Sequence, residues 1–141
     1  MVSRSLALLL LTAAPALAEI HEVRMLNRND TGPMVYEPDH LVVAPGDTVR
    51  FLPTQPGHNA ATIDEMIPAG AEPFKSGLNK EFEVTLTLPG IYGIKCSPHY
   101  AMGMVMLIRV GEAAAPEIPA AVPARARTRF EEILARHGAP D

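Results

Sequence analysis

Between Lys95 and Met104 the chain reads Lys-Cys-Ser-Pro-His-Tyr-Ala-Met-Gly-Met, and three of its side chains share one kind of chemistry. Cys96, the single cysteine, offers a thiolate, His99 an imidazole and Met104 a thioether. Together they suit a soft, redox-active metal. A second imidazole would complete a trigonal His₂Cys set with a weak axial Met, the donor set of electron-transfer copper. His58, in Pro-Gly-His-Asn, is the candidate.

Each part has a plainer reading. A lone C-x-x-H also occurs in zinc sites, but a structural zinc would bring further Cys or His residues nearby, and Met is a poor zinc ligand. Met104 taken alone reads as core packing, and His58 taken alone as a loop histidine. The joint occurrence of Gly-His-Asn with C-x-x-H-x-x-x-x-M is far more specific than any one of them. His21, His40 and His137 lie near no second soft donor in the sequence, so no metal role follows for them.

The site needs rigid elements to carry it. Ile20 to Arg28 alternates as a first strand, closed by the turn cluster Asn29 to Pro33. Met34 to Tyr36, Leu41 to Val43 and Thr48 to Leu52 read as short strands, and Pro45-Gly46-Asp47 as a strong turn. His58 to Ile63 looks extended, and Asp64 to Asn79 reads as a long connection with one helical turn. Glu81 to Leu88 alternates with Phe82, Val84, Leu86 and Leu88 inward. Ile91 to Lys95 is a strand that delivers Cys96 at its end, and Val105 to Val110 is the last strand. About eight short strands with turn signals between them predict an all-β, antiparallel sandwich. From Gly111 the composition shifts to Ala and Pro. Phe130, Ile133, Leu134 and His137 then mark one face of a helix over Arg125 to His137, with Gly138 past its end. This tail is too short to be a domain and is expected to fold back on the sandwich.

The first residues read as an export signal: Arg4, the apolar run Leu6 to Leu11, and Ala16-Leu17-Ala18 as a cleavage site. The apolar run is short for an uncleaved membrane span. The expected organisation is therefore residues 1–18 as signal peptide, 19–111 as the sandwich and 112–141 as the Ala/Pro-rich, partly helical extension. With bacterial export the compartment is the periplasm. One cysteine in an oxidising compartment forms no internal disulfide, so it is an inert buried thiol, an intermolecular bridge or a metal ligand. The net charge of −4 and the absence of Trp argue against a nucleic-acid partner.

Taken together, Met25-Leu26-Asn27, Tyr36-Glu37-Pro38, Val43 to Val49, Gly57-His58-Asn59, Met66-Ile67-Pro68, Gly70-Ala71-Glu72, Phe74-Lys75-Ser76, Pro89 to Gly93 and Lys95 to Met104 resemble the cupredoxin family and, within it, the pseudoazurins. The helical tail favours that branch over the plastocyanins. The resemblance implies a Greek-key sandwich and one type 1 copper held by His58, Cys96, His99 and Met104. It implies that Asn59 donates its backbone N–H to the Cys96 sulfur and ties two loops with its amide, that Pro98 restricts the loop backbone, and that Met34 packs near His99. It further implies an apolar docking patch of Pro98, Ala101, Met102 and Met34, ringed by Lys75, Lys80 and Lys95 with Arg28 in support. Gln55-Pro56-Gly57 departs from the family by offering no lysine before His58.

The function the resemblance implies is a monomeric one-electron carrier serving a nitrite reductase, a cytochrome c or a similar redox protein. A copper-delivery protein is the alternative, favoured by exposed and exchangeable Met and His clusters, whereas this spacing closes four ligands on one ion. An enzyme would need an open coordination position or a second metal, and no catalytic arrangement stands out. A metal-free binding module is the fourth possibility.

Overall fold

The computed structural model describes residues 16–138, so most of the expected signal peptide lies outside the described residues. Eight strands form two four-stranded sheets. The strands are β1 (Ile20–Asn29), β2 (Gly32–Glu37), β3 (His40–Val43), β4 (Thr48–Leu52), β5 (Ala61–Thr62), β6 (Phe82–Thr85), β7 (Gly90–Lys95) and β8 (Val105–Val110). The sheet orders are β2-β1-β4-β6 and β3-β8-β7-β5. A single-turn 3₁₀ helix spans Asp64–Met66, a second 3₁₀ segment spans Ser97–Met102, and α1 (Ala124–His137) closes the chain.

The sandwich is not purely antiparallel. β1 pairs with β4, and β3 with β8, in parallel register, Val23 opposite Phe51 and Leu41 opposite Ile108. The chain leaves one sheet, passes through the other and returns, and such a crossing brings strands in parallel where a hairpin would not. Leu88 also departs from expectation. Strand pairing ends at Thr85, so the alternation does not continue and Leu88 is 39% exposed.

Two cores result. Val23, Met25, Tyr36, Phe51 and Ile94 fill the space between the sheets, and Cys96 and Met104 belong to this cluster. On the outer face of the second sheet, Val105 and Leu107 pack with Ala126, Phe130 and Ile133 of α1. β8 is thus covered on both faces, and this is why it reads Val-Met-Leu-Ile without alternation. The return of the tail agrees with its helical apolar stripe. Arg136 and His137 in the last turn suit the negative end of the helix dipole. Arg136 donates to both carboxylate oxygens of Asp39, and the His137 ring stacks on His40 at 4.5 Å. Arg127 donates to the Ile118 and Pro119 carbonyls, which fixes the irregular segment ahead of the helix.

Where β1 begins, the Asp47 carboxylate accepts the Glu19 backbone N–H, the His21 ring and the Ala44 N–H, and these bonds, in that order, hold its pKa down to about 2.

Candidate metal centre

β7 ends at Lys95 and hands Cys96 to the 3₁₀ segment that carries Pro98 and His99. Gly103 terminates that segment in a left-handed conformation, φ +92°, and donates to the Tyr100 carbonyl at 3.0 Å. The chain then turns into β8. The Met104 N–H donates to the His99 carbonyl at 3.2 Å, and the Cys96 N–H to the Met104 carbonyl at 3.0 Å. Cysteine, histidine and methionine therefore sit on one loop braced by its own backbone. Cys96 and Met104 are fully buried.

His58 comes from the connection between β4 and β5, and the fold brings it to that loop. Its Nδ1 lies 3.1 Å from His99 Nδ1 and 3.8 Å from Cys96 Sγ, and Sγ lies 3.5 Å from His99 Nδ1. A point equidistant from these three atoms is about 2.0 Å from each, the length of metal–imidazole bonds and somewhat short of metal–thiolate bonds. The donor set and its spacing fit a copper ion.

The ring orientation of His58 has an identifiable cause. Nε2 lies 2.7 Å from Asn27 Oδ1, which accepts only, so Nε2 carries the proton and Nδ1 turns its lone pair to the cavity. Burial, and then His99, push the His58 pKa below its ordinary value and keep the ring neutral. Burial pushes the Cys96 thiol up, while the backbone N–H groups of Asn59 and His99 pull it down by bonding to the thiolate form. Asn59 also spans the two loops: its Oδ1 accepts the Ser97 N–H at 2.7 Å, and its Nδ2 donates to Ser97 Oγ and the Ser76 carbonyl.

Two contributors escaped the sequence reading. Asn27 appeared there only as part of a matching stretch, and no local signal links it to a histidine 31 positions away. Asn79 holds the His58 loop from the other side, its Oδ1 accepting the Gly57 N–H and its N–H reaching the His58 carbonyl at 2.9 Å.

Around the site, Met102 is 40% exposed, Ala101 is exposed, and His99 is half-buried. Met34 packs against the core cluster that contains Met104. Lys75 and Lys95 line one open cleft with Ser97 and Tyr100, and Lys95 Nζ sits 4.9 Å from the centre of the Tyr100 ring. Lys80 and Arg28 are exposed, each next in sequence to a residue bonded to the His58 loop. Among the described residues none of these four cations makes an ion pair.

A two-sheet sandwich that gathers two imidazoles, a thiolate and a buried methionine at one end defines a type 1 copper protein. Comparison with known proteins agrees: residues 23–111 match the family of copper binding proteins described as plastocyanin/azurin, and the chain belongs to that family. It is 46% identical to the pseudoazurin of Paracoccus pantotrophus over 135 residues, covering 92% of each chain. It is 44% identical to that of Methylorubrum extorquens over 108 residues, covering 77% of this chain and 73% of the relative. The crystal structure of native pseudoazurin from Hyphomicrobium denitrificans superposes with a TM-score of 0.76 at 36% identity, over 84% of this chain and 98% of that one. The protein is a copper-binding electron carrier of the cupredoxin kind and not an enzyme. Among the described residues no helix is long and apolar enough to cross a membrane.

Proposed function

We propose that His58 Nδ1, Cys96 Sγ, His99 Nδ1 and the Met104 thioether would together hold a type 1 copper ion, and that the exported protein carries single electrons in the periplasm to a nitrite reductase or a similar terminal reductase. Residues 1–18 are the signal peptide, 19–111 the copper domain and 112–141 an extension that packs on it. The observation that carries the reading is the point about 2.0 Å from all three donor atoms, a bonding distance for both histidines at once.

Bound copper supplies a one-electron couple between two valences that this donor set accommodates nearly equally. The chain's own residues do the rest. Cys96, buried at the end of β7, and His58, buried in the connection ahead of β5, exclude water and hold their positions in either valence. The Asn59 amide fixes the two ligand loops relative to each other, and the N–H groups at the sulfur favour the reduced state. His99, half-buried beside Ala101 and Met102, is the route to the surface, where a small apolar patch permits brief docking. Lys75, Lys80, Lys95 and Arg28, free of ion pairs, steer an acidic partner such as a reductase or a cytochrome c. The protein acts as a monomer. Copper delivery fits less well, because handover needs accessible donors and three of the four are fully buried.

Oxidised, copper-loaded protein is expected to be intensely blue through thiolate-to-copper charge transfer, and Cys96→Ser to abolish the colour. A wild type that takes up copper and stays colourless overturns the assignment. Stopped-flow mixing with purified nitrite reductases tests the partner: rapid bleaching or return of the blue band, slowed by salt, is expected. No exchange with any of them removes that partner class while leaving the copper centre standing.

A further inference from the structure

A second group of donors lies where β1 begins. His21 Nε2 is 2.9 Å from Asp47 Oδ2 and 4.0 Å from Glu19 Oε2, and donor atoms of all three residues fall within 4.8 Å of one another. No soft donor lies near His21 in the sequence, and only folding brings Asp47 to it. The backbone nitrogen of Glu19 is 3.0 Å from Asp47 Oδ1. In the uncut chain that nitrogen is an amide whose lone pair is delocalised into the preceding carbonyl, so it is no ligand at neutral pH. Cleavage after Ala18 converts it into a primary amine.

We propose that the processed chain carries a second metal site at its N-terminus, in which a borderline divalent ion of the zinc or copper(II) class is held by the α-amine and carboxylate of Glu19, His21 Nε2 and a carboxylate oxygen of Asp47. The site rests on the export reading given above and is independent of the copper centre. Donors about 2.1 Å from one ion stand about 3–4 Å apart, depending on coordination geometry. His21 Nε2 lies within that range of both Asp47 Oδ2 and Glu19 Oε2, and the Glu19 nitrogen lies 3.0 Å from the other Asp47 oxygen, Oδ1. Two nitrogens and two oxygens suit a borderline ion, and the two carboxylates balance its charge.

The donors are held before any ion arrives. Asp47 is buried in the Pro45-Gly46 turn and accepts the Ala44 N–H at 2.9 Å. The Thr48 N–H donates to the Glu19 carbonyl at 2.9 Å, and Ile20 and His21 pair with Thr48 and Val49 of β4. Ala16 to Ala18 have no regular structure, and Leu17 is 89% exposed, so removing them dismantles nothing in the fold. The ion displaces protons from the amine and from His21 Nε2, and it clips the first strand to the turn.

The test uses protein exported with its own signal peptide, purified with the copper centre filled. Mass spectrometry is expected to show a chain that begins at Glu19. Calorimetric titration with zinc is then expected to show one zinc per chain, with the blue band unchanged and the melting temperature raised. His21→Gln, Asp47→Asn and a form with one extra glycine ahead of Glu19 are each expected to lose zinc binding. The glycine form leaves every side chain in place, so it answers even if Asp47→Asn disturbs the turn. Absence of zinc binding by a chain that starts at Glu19 overturns the site and leaves the export reading intact. Undiminished binding by the glycine-extended form, or by Asp47→Asn, removes the donor concerned and overturns the site as drawn. A chain that starts elsewhere overturns both the cut and the amine ligand, and the blue copper remains as an internal control.

Discussion

At the scale of single residues, the centre depends on groups that never touch the ion as much as on those that do. Asn27 decides which nitrogen of His58 is protonated, because its carbonyl oxygen 2.7 Å from Nε2 can only accept. Asn27→Ala leaves that choice open and frees the ring to rotate. Copper affinity is expected to fall about 10–100-fold, the usual effect of removing a ligand's outer partner, measured by competition with a chelator of known strength. Met104 acts on the ion's preference for one valence. Met104→Gln substitutes a harder oxygen donor that favours the oxidised ion. Copper is expected to be retained and the midpoint potential to fall; an unchanged midpoint in voltammetry counts against Met104 as ligand.

At the scale of elements, the ligand loop and α1 form one mechanical unit. Gly103 ends the 3₁₀ segment at φ +92°, and a Cβ there would stand 3.0 Å from the Arg125 carbonyl oxygen in the first turn of α1. The loop can lie this close to the helix only because the position carries no side chain. Gly103→Ala combines a left-handed conformation with a backbone collision, and it is expected to cost about 1–3 kcal/mol. His99 and Met104 flank this glycine in the chain, so the blue band and the potential are expected to shift along with the melting temperature. A loss of stability with an unchanged spectrum would show that the loop is positioned without the helix. Phe130 and Ile133, both fully buried against β8, fix the helix that does the positioning.

For the whole molecule, the sandwich and its helical cover meet again at the far end of α1. There His40 stacks on His137 within reach of Asp39, Arg109 and Arg136. Burial, then His137 and Arg109, push the His40 pKa below its ordinary 6.5, with Asp39 opposing and Arg136 adding to the shift. A histidine with a folded pKa below its unfolded one takes up a proton on unfolding. Its contribution is therefore complete above 6.5 and is lost as the pH falls from there toward the folded value. Copper-loaded protein is expected to melt progressively lower as the pH drops below 6.5, and His40→Gln to flatten that slope. Equal slopes for the two proteins, followed by circular dichroism, would remove His40 from the account.

The chemistry of the centre was legible in the sequence because it is written locally. Cys96, His99 and Met104 sit on one short loop, and a lone thiol beside an imidazole and a thioether points to a soft metal wherever the loop ends up. The strands were legible for the same reason: alternation follows from the pleat, and Pro-Gly-Asp turns punctuate it. Val105 to Val110 was legible as a strand, but its burial on both faces, with α1 covering the second, was not. Only the tertiary structure brought His58 to within 3.1 Å of His99, gave Asn27 its hold on the ring, set β1 beside β4 in parallel and joined His21 to Asp47. Each of these is a pairing across at least 26 residues, set by which sheet edge the chain crosses to, and nothing in the local pattern of side chains encodes that choice.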